Sequence, residues 1–270
     1  MVSRARGLVS ALRAPQIVPS PNIWHWPAVY EAENRAQDAD GAVWRALEPL
    51  ADWTGDVVDV GCGSGFHLPR FAERARSVVG VEPHEPLVEQ ARARVAGVRC
   101  GPQPSVERSW DSGAAIRPSG TGLPVEVLVG SAQALPLADG SADVVHARTA
   151  YFFGAGCEPG LREADRVLRP GGALVVVDLD AARPPYGRWM RADLPSYDGA
   201  AVDAFFEAQG FTRRRVATVW RFPDRATLVS VLRIEFSAAV AARAAAEVDG
   251  LEFTVGYRVL VRRKPSGLIT

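Results

Sequence analysis

The sequence predicts an α/β fold built on a doubly wound, mostly parallel sheet. Short apolar runs rich in β-branched residues, such as residues 57–60 and 77–81, indicate buried parallel strands. Segments with helical apolar spacing, such as residues 85–95, alternate with these runs. The first run continues through three alternating glycines, the last of them Gly65, into a helix start. Because glycine leaves the backbone open and a helix N-terminus offers free N–H groups, this loop predicts a nucleotide-type binding site.

The alternation of strands and helices extends along most of the chain. Predicted strands lie at residues 56–60, 77–81, 124–130, 143–148, 173–178, 211–222 and 252–263. Predicted helices lie at residues 27–40, 41–51, 66–75, 85–95, 161–168, 200–209 and 224–248, the last with a break near Ser237. The order helix–strand–helix–strand after residue 200 predicts that the sheet continues to the end of the domain.

The segments outside this alternation predict the domain organisation. Residues 1–22 hold three prolines and no sustained period, and we expect a loose arm. Residues 23–52 predict N-terminal helices with a dense aromatic patch, which either packs on the domain or forms a lid. The main domain is expected at residues 53–265. Within it, residues 97–124 are rich in Gly, Pro and Ser and predict a flexible insertion.

Composition argues against several classes of function. The 270 residues carry 31 basic and 31 acidic side chains, and a net charge of zero argues against a large nucleic-acid footprint. The three cysteines, Cys62, Cys100 and Cys157, are widely spaced and predict neither a disulfide framework nor a metal site. No apolar run approaches the length of a membrane span. We therefore expect a cytoplasmic protein that acts on a small molecule.

The glycine loop alone leaves the cofactor open. The dinucleotide fingerprint requires G-x-G-x-x-G, and Phe66 occupies the position of the third glycine. Glu82 ends the second strand, where an acidic residue accepts hydrogen bonds from ribose hydroxyls in folds of this class. A carboxylate suits that position because it can accept two donors at once.

Three ordered motifs make the chain resemble the class I S-adenosylmethionine (SAM) methyltransferases, in their type 11-like, small-molecule branch. The motifs are D-V-G-C-G-S-G from Asp59, G-S-A-Q-A-L-P-L from Gly130, and R-V-L-R-P-G-G-A-L from Arg166. The resemblance implies a Rossmann-like seven-stranded sheet with an antiparallel last strand, S-adenosyl-L-methionine as cofactor and methyl transfer as the reaction. The glycines of the third motif are expected to form a tight turn before strand five.

The resemblance also implies the cofactor site. The implied residues are Asp59, Gly61, Cys62, Gly63, Gly65, Glu82, Pro83, Ser131, Ala132, Gln133, Ala147 and Arg148. Asp59 would order the glycine loop or meet the methionine amino group. Ser131 replaces the family's usual acid beside the adenine, so the backbone N–H of Ala132 and the side chain of Gln133 are left for that contact.

The catalytic residues are less clearly marked. Tyr151, just past the fourth strand, and His146, inside it, are the candidate catalytic residues, each with packing as the alternative. His25 and Glu31 are further candidate bases. Phenylalanines at 152 and 153 indicate an apolar acceptor wall.

Three functions fit the sequence. A small-molecule methyltransferase is favoured, because the chain lacks the excess positive charge of an RNA-binding enzyme and the N-P-P-[YF] tetrapeptide. An RNA or protein methyltransferase and a non-catalytic SAM- or nicotinamide-binding domain are the alternatives.

Overall fold

The computed structural model describes residues 21–101, 122–150 and 154–267. Most of the predicted arm and insertion lie outside the described residues, as do Tyr151 and the two phenylalanines that follow it. The strands are β1 (Asp56–Val60), β2 (Ser77–Glu82), β3 (Glu126–Val129), β4 (Ala142–Arg148), β5 (Leu168–Leu179), β6 (Thr212–Arg221) and β7 (Glu252–Arg263). The helices are α1 (Pro21–His25), α2 (Pro27–Ala36), α3 (Ala42–Leu47), α4 (Leu68–Ala72), α5 (Glu85–Val95), α6 (Glu158–Val167), α7 (Tyr186–Asp193), α8 (Gly199–Ala208), α9 (Arg225–Glu235) and α10 (Ala238–Glu247).

Within the described part of the chain, seven strands form one sheet in the order β3–β2–β1–β4–β5–β7–β6. β1 pairs in parallel with β2 and β4, and parallel pairing continues to β3 on one side and β5 on the other. β7 runs antiparallel to both β5 and β6. The Rossmann-like seven-stranded sheet with an antiparallel last strand is therefore confirmed.

Alternate residues of the strands supply two cores, one on each face of the sheet. Val57, Val144 and Val175 belong to one cluster, together with buried residues of α3, α4, α5, α7, α9 and α10. Val58 and Val145 belong to the other, together with buried residues of α6 and α8. Because both faces are covered by helices, the strands are apolar on both sides and show no simple alternation in the sequence.

The strand order places the site. β1 and β4 are neighbours, and the chain runs outward from them to β2 and β3 on one side and to β5 on the other. In open α/β sheets, ligands bind beyond the carboxyl ends of the strands at such a switch point. Gly61 follows β1, Glu82 ends β2 and Arg148 ends β4, so all three lie at that edge.

Two segments differ from the expectation. The expected turn at 169–172 is part of β5, which begins at Leu168 directly after α6. It is held as a strand because Gly171 N donates to Lys264 O and Lys264 N donates to Gly172 O, both at 2.9 Å. The segment between β5 and α8, where the sequence analysis gives neither a helix nor a strand, contains α7, whose Trp189 and Met190 are buried in the core. Proline-rich flanks concealed this short helix from the sequence pattern.

Candidate active site

The glycine loop is folded back on the end of β2. Gly61 N and Cys62 N both donate to Val81 O, at 2.8 and 3.1 Å. Gly61, Gly63 and Gly65 have φ angles of +70°, +56° and +75°, which L side chains rarely adopt. The loop therefore requires glycine at these positions for its backbone shape.

Glu82 links this loop to the turn after β2. Its Oε2 accepts from Gly63 N and its Oε1 accepts from His84 N, both at 3.1 Å. Burial raises the pKa of Glu82, while the two N–H donors lower it. A buried carboxylate with spare acceptor capacity beside a glycine loop fits the ribose hydroxyls of SAM, and we keep Glu82 as the proposed ribose ligand.

Asp59 and His146 form a buried pair across β1 and β4. His146 Nδ1 lies 2.7 Å from Asp59 Oδ1, and these residues face each other in the strand register. The His146 ring is fully buried beside Trp53 and Phe71, and its Nε2 has no partner among the described residues. Asp59 reaches the cavity described next, whereas His146 does not, so the pair positions Asp59 rather than presenting a base to a ligand.

A cavity of about 540 Å³ opens at the switch point of the sheet. Seven of the predicted cofactor residues line it: Asp59, Gly61, Cys62, Gly63, Ala132, Gln133 and Arg148. Five others do not: Gly65, Glu82, Pro83, Ser131 and Ala147. Gly65 packs on α5, since a Cβ there would lie 2.9 Å from Ala91 Cβ. The volume of the cavity and its polar lining beside the glycine loop fit SAM.

Helix α1 covers the glycine loop. A Cβ on Gly63 would lie 2.7 Å from Ile23 Cδ1, and the Trp24 ring stacks on His84 with centroids 4.6 Å apart. Glu31 on α2 forms ion pairs with Arg35 at 3.0 Å and Arg94 at 2.6 Å, so its carboxylate is already neutralised. The other predicted base from this region, His25, has an exposed side chain and does not line the cavity.

Polar and aromatic side chains line the opposite end of the cavity, and among them the sequence indicated only Arg148. We call this end the acceptor chamber and define it by Tyr30, Glu33, Gln37, Arg148, Tyr186, Trp220, Glu235, Phe236 and Tyr257, which all line the cavity. They come from α2, the residue after α2, α7, α9, the residue after α9, β4, β6 and β7. The chamber exists because these elements converge beyond the carboxyl ends of β4 and β5.

A chain of hydrogen bonds crosses the acceptor chamber. Arg148 Nη2 donates to Gln37 Oε1 at 2.9 Å, and Gln37 Nε2 donates to Glu33 Oε1 at 2.7 Å. The Glu33 carboxyl meets that of Glu235, which accepts from the Tyr186 hydroxyl. Burial and the neighbouring Glu235 carboxyl raise the pKa of Glu33 well above its usual range.

Aromatic rings form the other wall of the chamber. Trp220 Nε1 donates to the Tyr257 hydroxyl at 3.1 Å, and the Arg148 guanidinium lies 5.1 Å from the Tyr257 ring centroid. Burial raises the pKa of Tyr257 to about 12, so this hydroxyl stays protonated at neutral pH. Tyr186 packs against Trp220 and Phe236. One signal of the chamber was available in the sequence: Tyr30, Glu33 and Gln37 recur at helical spacing along one side of α2.

Comparison with known proteins agrees with this geometry. Residues 58–176 match the family model described as a methyltransferase domain. The chain is 34% identical over 107 residues to a malonyl-[acyl-carrier protein] O-methyltransferase from Methylococcus capsulatus, covering 37% of this chain and 38% of that protein. It is 34% identical over 111 residues to the ubiquinone/menaquinone biosynthesis C-methyltransferase of Dinoroseobacter shibae, covering 39% and 43%.

The matches to curated relatives are partial. An uncharacterised transposon protein of Streptomyces fradiae is 32% identical over 127 residues, which is 46% of this chain and 30% of that protein. The chain thus spans well under two thirds of the length of the curated relatives that it matches.

Solved structures share the fold. A SAM-dependent methyltransferase from Thermotoga maritima superposes with a TM-score of 0.55 at 21% identity, covering 91% of this chain and 99% of that one. The YcgJ protein from Bacillus subtilis gives 0.54 at 18% identity, covering 83% and 98%. In the described part of the chain, no helix is both long and apolar enough to span a membrane. Residues 58–176 therefore match a methyltransferase domain, and the chain has the fold of the solved methyltransferase structures.

Proposed function

We propose that the protein transfers a methyl group from SAM to a small-molecule acceptor. The observation that carries the proposal is a single cavity that joins the glycine loop to the acceptor chamber. A methyl donor held at the loop would meet an acceptor held in the chamber inside one partly enclosed space. Its lining by side chains from α2, α7 and α9 suits a small molecule.

The roles proposed for the chain's own residues are binding and alignment. When bound, SAM supplies a methyl group already activated by the positive sulfur. Glu82 would accept from the ribose hydroxyls, while Ala132 and Gln133 would bound the adenine. Asp59, fixed by His146, would meet the amino group of the methionine part. The chamber would align the acceptor and exclude water, which is the main contribution an enzyme can make to such a transfer.

The other two functions receive less support. The net charge of zero provides no basis for a large RNA surface. One relative is a malonyl-[acyl-carrier protein] O-methyltransferase and another a ubiquinone/menaquinone biosynthesis C-methyltransferase, so the relatives do not choose among substrates. A non-catalytic domain would not need an acidic, aromatic chamber next to the glycine loop.

Calorimetry with S-adenosylhomocysteine and NAD in parallel tests the cofactor. We expect S-adenosylhomocysteine to bind and NAD not to bind, because Phe66 occupies the position of the fingerprint's third glycine. Binding of NAD without binding of S-adenosylhomocysteine would refute the proposal. A screen of metabolites with labelled SAM would then identify the acceptor.

A further inference from the structure

The Glu33 carboxylate is buried and only partly satisfied. Glu33 is only 3% exposed, and its Oε2 receives no hydrogen bond from any described residue. Its Oε1 accepts from Gln37 Nε2 at 2.7 Å. Buried polar atoms are nearly always paired, so an orphaned carboxylate oxygen that faces a cavity marks the place of a missing proton or donor.

Glu235 adds a second acid at the same place. It lines the same cavity from the end of α9, and its carboxyl accepts from the Tyr186 hydroxyl. The charge of Arg148 acts on Glu33, but this guanidinium is already bound to Gln37 and lies over the Tyr257 ring. With both acids ionised, the charges of Glu33, Glu235 and Arg148 leave one negative charge. A ligand with one positive charge would neutralise this net charge, so neither carboxyl group would need to hold a proton.

The walls of the chamber suit a cation. Tyr30, Tyr186, Trp220 and Tyr257 line it, and the negative faces of aromatic rings attract ammonium groups. The cavity lining also carries Asp193 near the chamber. A carboxylate or phosphate ligand would meet the two glutamates, and the attraction of Arg148 alone would not offset them.

We propose that the methyl acceptor is an amine, bound as its ammonium ion between Glu33, Glu235 and the chamber's aromatic rings. This inference rests on the proposed methyltransferase function and adds the substrate class. In the reaction, the ammonium gives one proton to the carboxyl pair and becomes a nucleophilic amine. The nitrogen lone pair forms the new N–C bond, the electrons of the broken S–C bond stay on sulfur, and the positive charge passes to nitrogen.

An amine also fits the direction in which charge develops. Positive charge grows on the nitrogen during the transfer, and two carboxyl groups stabilise it. A hydroxyl acceptor would have to lose its proton before the transfer, and the alkoxide so formed would lie beside the same carboxyl groups, which disfavours it. The acceptor chamber thus selects nitrogen over oxygen on electrostatic grounds.

Calorimetry with matched probes tests the proposal. The full chain, saturated with S-adenosylhomocysteine, is titrated with 2-phenylethylamine, 2-phenylethanol and phenylacetate. We expect the amine to bind about tenfold or more tightly than the alcohol, with the carboxylate weakest. Glu33→Gln and Glu235→Gln, which keep shape and hydrogen-bonding capacity, should each reduce the preference to about threefold or less. Glu207→Gln, on the exposed side of α8, should leave the preference unchanged.

Each other outcome overturns the inference. An amine site would be excluded if the three probes bound equally or if none of them bound. It would also be excluded if both glutamine variants still preferred the amine. Circular dichroism and thermal unfolding confirm that the variants fold. If S-adenosylhomocysteine itself fails to bind, the proposed function fails as well. If it binds but the three probes bind with equal affinity, only the amine site fails.

A turnover experiment with labelled SAM and a panel of amines and alcohols provides a second test. Mass spectrometry should locate the methyl group on nitrogen, and a methyl group on oxygen or carbon would refute the inference.

Discussion

The two ends of the cavity are built in different ways. The glycine-loop end is mostly backbone: Gly61 and Gly63 have left-handed φ angles, and the loop N–H groups contact the end of β2. The acceptor chamber is mostly side chains, brought in by helices that are far apart in sequence. α2 supplies Glu33 and α9 supplies Glu235, although about 200 residues separate them. A motif can encode the first end because its parts are contiguous, whereas the second exists only after folding.

The two ends of the cavity also have different proposed roles. The loop end would hold a part of the ligand common to every SAM-dependent enzyme, so backbone geometry suffices. The chamber would recognise the acceptor, which requires charge and shape chosen for one substrate class. Three of the following four predictions test this division, and Asp178→Asn tests the pH dependence of stability; the largest expected effect comes first.

Glu33→Gln should lower kcat about a hundredfold, because the carboxyl pair loses a proton acceptor. The affinity for S-adenosylhomocysteine should stay within about twofold, since Glu33 lies at the other end of the cavity. Steady-state kinetics and calorimetry on the same preparation provide both values, with Glu207→Gln as the control. A parallel fall in cofactor affinity would show that the two ends are not separable.

Glu82→Ala should weaken S-adenosylhomocysteine binding by about 2 kcal/mol, because a buried charged acceptor is lost. The substitution also releases Gly63 N and His84 N, which Glu82 now binds. Calorimetry measures the effect, and Glu89→Ala on the exposed side of α5 is the matched control. An unchanged affinity would remove Glu82 from the cofactor site.

Asp178→Asn should flatten the pH dependence of stability without changing methyl transfer. Asp178 is buried in β5, and neither of its carboxylate oxygens has a hydrogen-bond partner among the residues that the structure describes. Burial raises its pKa to about 7. Arg258, Cys157 and Tyr197 lie nearby, and the charge of Arg258 lowers that pKa.

A raised carboxyl pKa means that the folded state holds its proton more tightly than the unfolded state. The stabilisation is complete below about pH 4 and is lost as the pH rises through about 7. The wild type should therefore lose about 1–2 kcal/mol more than the variant between about pH 5 and pH 7 in urea unfolding. Equal losses would show that another group, such as Glu33 or Glu82, causes the dependence.

Trp24→Ala should weaken S-adenosylhomocysteine binding about threefold, because the stacking on His84 that holds α1 over the glycine loop is lost. Trp26→Ala is the control, since that ring is 58% exposed. Weaker binding of S-adenosylhomocysteine by Trp24→Ala than by Trp26→Ala would indicate that α1 acts as a lid. Equal affinities of the two variants for S-adenosylhomocysteine would indicate that α1 only packs on the domain.

Much of the glycine-loop end could be predicted. β1, α5 and β7 begin and end where the sequence pattern places them, because apolar periodicity and glycine punctuation are local signals. Asp59, Gly61 and Gly63 were proposed from a contiguous motif, and all three line the cavity. His146 was proposed for its residue type, and the fold instead buries it against Asp59.

The sequence by itself determined the order of the strands along the chain, the glycine loop and the motifs that resemble those of the methyltransferases. These features depend on short segments whose propensities and motifs act within a few residues. Only the tertiary structure decided that Glu33 meets Glu235, that Arg148 is bound to Gln37, and that α7 closes the chamber. Such contacts depend on how distant elements pack at the carboxyl edge of the sheet, and no local pattern records that packing.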